Sequence, residues 1–295
     1  MKKLFLIAVV ISFSLSPIFA QNDSTLVDSS AVEAEEKDKR PVRAPFESGY
    51  LIDNQTTQVP TAKTLEFVML HRFGRMGNGF DDLWGIYGAS NIKLAFNYTP
   101  FEDFQVGFGT MKFDRVFDFS AKYALIKQTR SNSTPFSMTL YGNVGLDSRD
   151  KETFGSDYKF THRLSYFSQL IFSYKINFNF SIQIAPSFSH YNMTDTLFEH
   201  DKIGISFSGR ARVTPTMSVI VNYDYPLPID GIREYISDEN DPLGNFGLGL
   251  EISTSTHAFQ IFAGNSNGML PQKNMMFNRN RYFVIGFNIT RLWGF

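Results

Sequence analysis

The chain offers few combinations of residues that could perform catalysis. Histidine occurs five times, at positions 71, 162, 190, 200 and 257, without the spacing of a zinc site. Ser165 and Ser168 follow His162, and acyl hydrolysis requires a serine activated by a histidine. On an extended strand, however, His162 and Ser168 would lie roughly 20 Å apart. The sequence therefore predicts no catalytic residue, although a triad assembled across strands stays open.

Ion and cofactor sites are equally sparse in the sequence. The acidic run 238–241 could present oxygen ligands to a divalent cation, but it lacks the ordered spacing of a calcium loop. Cysteine is absent, which excludes disulfides, thiolate metal sites and a cysteine nucleophile. The net charge of −1 excludes a strongly basic nucleic-acid surface. We therefore expect no metal, no cofactor and no nucleic-acid partner.

The first 45 residues differ in composition from the rest of the chain. Two lysines, an apolar stretch over 4–15 and a small residue at position 20 are typical of a secretory signal peptide over 1–20, which would direct the protein to the periplasm. Residues 21–45 contain no aromatic residue and six acidic ones, a composition that predicts a disordered periplasmic linker. Residues 46–295 follow as the folded domain.

Short segments that alternate apolar and polar residues dominate this domain. In one of them, Phe178, Phe180 and Ile182 share a face, whereas Asn179 and Ser181 share the other. A tilted strand needs about 9–11 residues to cross a bilayer, and most of the segments reach this length. We predict twelve strands, over residues 64–74, 90–99, 103–112, 116–128, 135–147, 161–174, 178–190, 201–213, 216–225, 244–254, 257–264 and 281–294.

The lengths of the connections alternate along the chain. Those after the second, sixth, eighth and tenth predicted strands are short, whereas most of those after odd-numbered strands are long. Short periplasmic turns and long outer loops are typical of bacterial outer-membrane barrels. The predicted fold is all-β, a transmembrane antiparallel up-and-down barrel of twelve strands with both termini in the periplasm.

A soluble barrel or sandwich would show the same alternation, but two features favour the membrane. Phenylalanine alone occurs 31 times, more than a soluble core of this size would use. The last predicted strand places Phe287, Ile289 and Trp293 at alternating positions and ends in Phe295, which looks like the signal read by the barrel-insertion machinery. We therefore expect a Gram-negative outer-membrane protein that contacts outer-membrane lipids and that machinery.

Several short stretches carry a family resemblance. Residues 64–67, 71–74, 89–94, 106–109 and 287–291 are similar to an uncharacterised outer-membrane β-barrel family (a domain of unknown function, family 5777 type). The resemblance covers roughly residues 46–295 and implies a barrel fold and an outer-membrane location. It implies no activity and no catalytic residues.

The polar face of the predicted strands determines what the barrel could do. By parity, the charged side chains that would line a pore are Arg72, Lys93, Asp118, Lys122, Arg163, Arg210, Arg212 and Glu251. Arg210 and Arg212 would form a positive rung that favours anions, unless Asp118, Glu66 or Glu251 neutralises it. Mixed charge is compatible with a narrow channel for small hydrophilic solutes, and equally with a salt-bridged interior. The alternatives are therefore a channel, a non-conducting structural or interaction barrel with an unidentified protein partner, and, third, an outer-membrane enzyme.

Overall fold

The wall of the molecule is a closed sheet. The computed structural model describes residues 38–196, 198–232, 234 and 240–295. Within these residues, twelve strands form an antiparallel up-and-down barrel in which each strand pairs with its neighbours in sequence and the last strand closes onto the first. The wall strands are β3 Thr64–Arg75, β4 Asn91–Phe101, β5 Phe104–Met111, β6 Val116–Ile126, β7 Ser137–Asp147, β8 Leu164–Lys175, β9 Phe180–Tyr191, β10 Asp201–Arg212, β11 Met217–Pro226, β12 Asn245–Ser253, β13 His257–Gly264 and β14 Val284–Gly294.

This architecture confirms the predicted fold. Each of the twelve predicted segments is a wall strand, and the ends agree within three residues. The largest differences at a strand start are three residues, at β8 and at β14. At β8, Phe160–Arg163 forms a 3₁₀ turn before the strand begins at Leu164.

The apolar faces of the strands point outwards. On β9, Phe180, Ile182 and Ile184 are 40–50% exposed, whereas Ser181 and Gln183 between them are buried. A soluble barrel would bury the apolar set and expose the polar one. The arrangement seen here suits a barrel surrounded by lipid and lined by polar groups.

The two rims of the barrel differ. The connections 102–103, 127–136, 176–179, 213–216 and 254–256 lie at one rim, which we call the short-turn end, together with Thr64 and Gly294. The opposite rim, the long-loop end, carries the connections 76–90, 112–115, 148–163, 192–200, 227–244 and 265–283.

The residues that precede the first wall strand in sequence lie against the short-turn end and inside the barrel. Residues 38–45, the end of the predicted linker, run along the turn 127–136, where Pro41 bridges Thr129 and Val42 N–H donates to the Gln128 carbonyl. Residues 46–59 then fold into the lumen as a hairpin, with β1 (Tyr50–Leu51) paired to β2 (Asn54–Gln55). We call residues 46–59 the plug segment. The predicted barrel domain began at residue 46, whereas the wall itself begins at Thr64.

The size of the barrel explains why a hairpin fits. Side chains alone fill an eight-stranded barrel, and barrels of about sixteen strands leave an aqueous channel. A twelve-stranded wall lies between these limits, and one hairpin occupies the space that its inward side chains leave. Residues 48–57 of the plug segment are all buried.

The connection 265–283 enters the lumen from the long-loop end. It carries α1 (Pro271–Phe277), whose Gln272, Asn274, Met275 and Met276 are buried. Leu270 and Met269 belong to one buried apolar cluster with Tyr50 of the plug segment, so the two insertions approach each other inside the barrel. In the described part of the chain, no helix is long and apolar enough to cross a membrane.

Candidate functional site: the filled lumen

The tip of the plug segment is fixed by a buried ion pair. Arg72 of β3 contacts the Asp53 carboxylate at 2.6 Å, and the two side chains are 0% and 3% exposed. Asn245 Nδ2 also donates to Asp53, at 3.2 Å. Isolated charges are strongly disfavoured in such surroundings, so each ion needs the other to stay buried. The pair therefore couples the tip of the plug segment to the wall.

The backbone at the tip is strained. Ile52 has φ of 57°, a left-handed conformation that β-branched residues rarely adopt. Its carbonyl accepts from Asn288 Nδ2 at 2.8 Å, and its N–H donates to Gln260 Oε1 at 3.0 Å. Ile52 packs with Phe46, Leu51, Ile220 and Phe262 in a buried cluster. Conformations of this kind cost on the order of 1–3 kcal/mol and persist where the surroundings hold them, often at functional segments.

The base of the plug segment contacts two arginines of the wall, besides the exposed Arg43 of the preceding segment, whose guanidinium lies 3.0 Å from Glu47 Oε2. Glu47 Oε1 accepts from Arg212 at 2.5 Å and from Arg210 at 3.3 Å. Both guanidinium side chains are 4% exposed, and Arg210 also contacts Glu251 at 3.0 Å. The sequence predicted the positive rung, and Glu251 was one of the acidic residues considered as its partner. Glu47 was not considered, because it lies 163 residues before Arg210.

Backbone carbonyls of the plug segment accept hydrogen bonds from several further polar side chains of the wall. Lys122 Nζ donates to the Gly49 carbonyl at 3.2 Å, and Gln260 Nε2 to the Tyr50 carbonyl at 2.9 Å. Gln183 Nε2 donates to the Gln55 carbonyl at 2.8 Å. Across the described residues, the wall bonds come from β3, β6, β7, β8, β9, β10, β12, β13 and β14. The plug segment thus satisfies a polar wall on nearly all sides.

A vestibule remains at the long-loop end. A cavity of about 510 Å³ lies between the long-loop ends of β4–β9 and the connection that carries α1. Phe154, Phe277 and Met269 supply apolar lining, and Arg149 and Asp147 supply charge. The Asp147 carboxylate accepts hydrogen bonds from Arg149, which raises the pKa of that guanidinium and keeps it charged. The vestibule is amphipathic, and α1 forms its inner boundary.

Seven of the eight predicted inward charges lie on lumen faces. Lys93 pairs with Asp118 at 2.9 Å, and both are buried. Four of the seven contact the plug segment directly, namely Arg72, Lys122, Arg210 and Arg212. In this structure their bonds go to protein groups rather than to an open passage; their role in lining a pore stays a prediction.

The strand periodicity predicted Arg163 on a strand face. Arg163 lies instead in the 3₁₀ turn before β8, so this prediction was wrong. Its guanidinium donates to Tyr158 Oη and to the carbonyls of Asp147 and Arg149, and it stacks on the Phe154 ring at 4.8 Å. Arg163 therefore braces the loop at the vestibule instead of projecting into the middle of the lumen.

Apolar residues on the lumen faces of the wall are a sequence signal for the plug segment. Val68, Leu70, Phe167, Ile171 and Ile220 are apolar residues on faces that otherwise point to the lumen, and all are buried. A water-filled lumen would leave them exposed at a cost of about 25 cal/mol per Å². Such residues indicate that something apolar covers them, and Phe46, Leu51 and Ile52 are part of that cover.

The residues considered for catalysis do not form a constellation. Ser165 Oγ accepts from Gln272 at 3.2 Å, Ser168 lies on the outer face of β8, and His162 Nδ1 accepts from the Lys159 N–H. Among the described residues, no group of three or more histidine, aspartate or glutamate side chains could hold a metal ion. Part of the acidic run 238–241 lies outside the described residues.

The residues of the expected insertion signal lie at the end of the wall. Phe287, Ile289 and Trp293 project from the outer face of β14, and Phe295 is 80% exposed. Phe287 stacks on His71 at 4.8 Å, and Trp293 lies 6.5 Å from Phe67.

Fold and lumen together define a membrane β-barrel whose interior is filled by its own chain. The chain belongs to a family of membrane-bound beta barrel domains (DUF5777), whose model matches residues 46–293. The match confirms the family resemblance seen in the sequence. It also begins at the first residue of the plug segment, so the insertion lies inside the matched region.

Solved structures with a similar fold are barrels as well. The COG4313 outer membrane channel from Pseudomonas putida F1 is 13% identical, with a TM-score of 0.47 over 80% of this chain and 97% of that chain. A KdgM porin is 9% identical, with a TM-score of 0.46 over 77% and 98%. LpxR from Salmonella typhimurium is 11% identical, with a TM-score of 0.38 over 79% and 100%. The comparison with curated proteins gave no match.

Proposed function

We propose that this protein is an outer-membrane channel for small hydrophilic solutes that is closed at rest by the plug segment. The observation that carries the proposal is the polar contact between the plug segment and the wall, which includes ion pairs at Asp53 and Glu47. Opening consists of withdrawing the segment through the short-turn end.

The chemistry of this contact is unlike that of a permanent core. Replacing a buried ion pair by apolar residues is often neutral or stabilising, so stability alone gives no reason to keep charges there. A wall that meets water in a second state, by contrast, must be polar. Arg72, Lys122 and Arg212 are groups of this kind, because a withdrawn plug segment would leave them solvated rather than stranded in apolar surroundings.

The topology permits withdrawal without breaking the wall. The plug segment is a hairpin, and both of its arms return to the short-turn end, one to residues 38–45 and the other to Thr64. No wall strand has to unpair when the hairpin leaves. The residues before it connect to the predicted linker, so a force or a partner acting on that linker would pull the segment outwards.

A non-conducting structural or interaction barrel is the second candidate. Filling from both rims favours it, since α1 occupies part of the lumen through bonds of its own to the wall, such as that of Gln272 to Asn143 at 2.9 Å. An enzyme is not proposed: Ser165 and His162 are engaged with other groups, as described above.

Location and assembly form part of the same proposal. The outward apolar faces fit a lipid bilayer, and the alternation of rims supports periplasmic turns and outer loops. Export through a signal peptide over 1–20, a linker over 21–45 and insertion through Phe287, Ile289, Trp293 and Phe295 are expectations from the sequence. Residues 1–37 lie outside the described part of the chain.

The test is the conductance of the full chain in planar bilayers. We compare the natural chain with Glu47→Gln/Asp53→Asn, which weakens the plug segment without shortening it. Asp38→Asn/Glu102→Gln is the matched control, because it removes two carboxylates near the short-turn end but outside the plug segment. We expect rare openings in the natural chain and in the control, and frequent openings in Glu47→Gln/Asp53→Asn.

A second measurement separates the two candidate functions. Thr56→Cys introduces a single thiol at a fully buried position of the plug segment in a chain without cysteine, so maleimide labelling reports release. Faster labelling in Glu47→Gln/Asp53→Asn without any current would reject the channel and favour the non-conducting barrel.

A further inference from the structure

The carboxylate of Glu47 occupies a site that is built for an anion. One carboxylate oxygen lies between two buried guanidinium groups of the wall, 2.5 Å from Arg212 and 3.3 Å from Arg210. The exposed Arg43 of the preceding segment also donates to this oxygen, at 3.3 Å. Arg212 is additionally held against the Phe178 ring at 4.5 Å. Guanidinium groups bind carboxylates through short, charge-assisted hydrogen bonds, and two of them converging on one oxygen is stronger than one.

A second site of the same kind lies deeper in the lumen. Asp53 contacts Arg72 at 2.6 Å and accepts from Asn245 at 3.2 Å. The Arg72 guanidinium is held in place by Asn288 Oδ1 at 2.9 Å and by the Phe262 ring at 4.4 Å. The wall therefore fixes this arginine independently of Asp53.

Withdrawal of the plug segment changes the sign of the buried charge. Apart from the Lys202–Glu199 pair near the long-loop end, the buried charges of the described wall are the cations Arg72, Lys93, Lys122, Arg210 and Arg212 and the carboxylates Glu66, Asp118, Asp224 and Glu251. The plug segment adds Glu47 and Asp53. The formal charge of these eleven groups is thus −1 with the segment inside, and that of the nine wall groups alone is +1.

We propose that Glu47 and Asp53 are internal substitutes for the transported solute, and that the solutes of this channel are small organic carboxylates. The inference depends on the proposed function for its transport step, but not for its binding step. When the plug segment leaves, Arg212 with Arg210 forms one anion site and Arg72 with Asn245 forms the next. A carboxylate solute competes with the segment for these arginines and thereby favours its release.

The test measures whether a carboxylate solute releases the plug segment in the full chain. The chain carries Thr56→Cys, and the readout is the rate of maleimide labelling in detergent. The probes are succinate, butane-1,4-diol and 1,4-diaminobutane, which share a four-carbon skeleton and differ in charge. We expect succinate to raise the labelling rate about tenfold, the factor that 1.4 kcal/mol of binding energy gives, and the two other probes to leave it unchanged.

Arginine variants show where the anion acts. Arg210→Gln/Arg212→Gln and Arg72→Gln should label faster than the parent without any probe, and the response to succinate should disappear in the first and weaken in the second. Lys93→Gln is the matched control, because it removes a buried wall cation that pairs with Asp118 and not with the plug segment. It should keep the response. Arg210→Lys/Arg212→Lys should keep part of it, which distinguishes lost binding from a misfolded barrel.

The outcomes separate this inference from the channel itself. If labelling responds equally to succinate and diaminobutane, or to neither, the carboxylate assignment is wrong even where Glu47→Gln/Asp53→Asn conducts. If succinate releases the plug segment but no variant conducts, the assignment stands as a ligand site and the channel is rejected. Reversal potentials in a salt gradient add an independent readout: openings of the natural chain should prefer chloride over potassium.

Discussion

At the scale of single residues, the plug segment is held by buried charges whose partners lie far apart in sequence. Arg72 is completely buried, and Asp53 is the carboxylate that contacts it. Asp53→Asn should therefore weaken the binding of the plug segment to the wall by about 3–5 kcal/mol, since it leaves an uncompensated buried cation. The labelling rate of Thr56→Cys should rise by at least about 100-fold. Asp38→Asn, which removes an exposed carboxylate, is the control; equal rates in both variants would contradict the role of the pair.

Gly247 of β12 is a wall residue whose lack of a side chain leaves room for the plug segment. A Cβ atom on Gly247 would lie 2.4 Å from Asn222 Oδ1 and 2.9 Å from Ile52 Cγ2. Gly247→Val should displace the tip and raise the labelling rate of Thr56→Cys by about tenfold, because overpacking a tight site costs about 1–3 kcal/mol. Gly142→Ala, whose Cβ would meet its nearest atom at an ordinary 3.5 Å, should leave the rate unchanged. A slower labelling rate in Gly247→Val would mean that the tip of the plug segment does not pack against β12.

The positions of these residues could be predicted from the sequence, but their partners could not. Parity placed Arg72, Arg210 and Glu251 on the lumen face, because strand periodicity is local information. Glu47 and Asp53 lie before the first wall strand, in a segment without a long alternating pattern. Nothing local indicates that such a segment folds back into the barrel. The pairing is a consequence of the space inside a closed wall, which appears only when all strands are assembled.

At the scale of elements, two insertions enter the lumen from opposite rims, and they should be released independently. Gln272 of α1 donates to Asn143 Oδ1 at 2.9 Å and to Ser165 Oγ at 3.2 Å. Gln272→Ala removes both bonds and should weaken the packing of α1 against the wall by about 1–3 kcal/mol. A thiol at the buried position Met276→Cys should then label about tenfold faster.

The plug segment provides the comparison for this variant. The bonds of Gln272 go to β7 and β8 and not to residues 46–59, so labelling of Thr56→Cys in the Gln272→Ala background should stay at its original rate. If both thiols became accessible together, the two insertions would be one cooperative unit.

The wall strands are the elements that the sequence predicted well. Their ends agree within three residues because strand length and alternation are imposed by the bilayer and the pleat. The inner hairpin and α1 were not predicted. Tyr50–Leu51 and Asn54–Gln55 are too short for a periodic pattern, and α1 spans seven residues within a long connection. Both are held by tertiary contacts rather than by local preference.

At the scale of the whole molecule, the protein is a barrel with a polar lumen that the plug segment fills. Outward apolar faces suit a lipid bilayer, and inward polar groups bond to the chain's own plug segment. The sequence predicted the wall of the barrel and left its interior undecided between a pore and a salt-bridged core. The structure adds a third arrangement, in which charges of the wall pair with charges of an inserted hairpin. This arrangement is why a closed lumen is compatible with a channel.

The most direct measurement is the current through a barrel whose plug segment is reversibly fixed. Asn54 donates to Ser208 Oγ at 3.1 Å near the tip of the hairpin, so Asn54→Cys/Ser208→Cys places two thiols where a short bis-methanethiosulfonate can bridge them. In the Glu47→Gln/Asp53→Asn background, the cross-linked chain should be silent, and reductant should start the current. Asn54→Cys alone, treated in the same way, should conduct throughout. Current through the cross-linked chain, or silence after reduction although Thr56→Cys labelling shows release, would contradict the account.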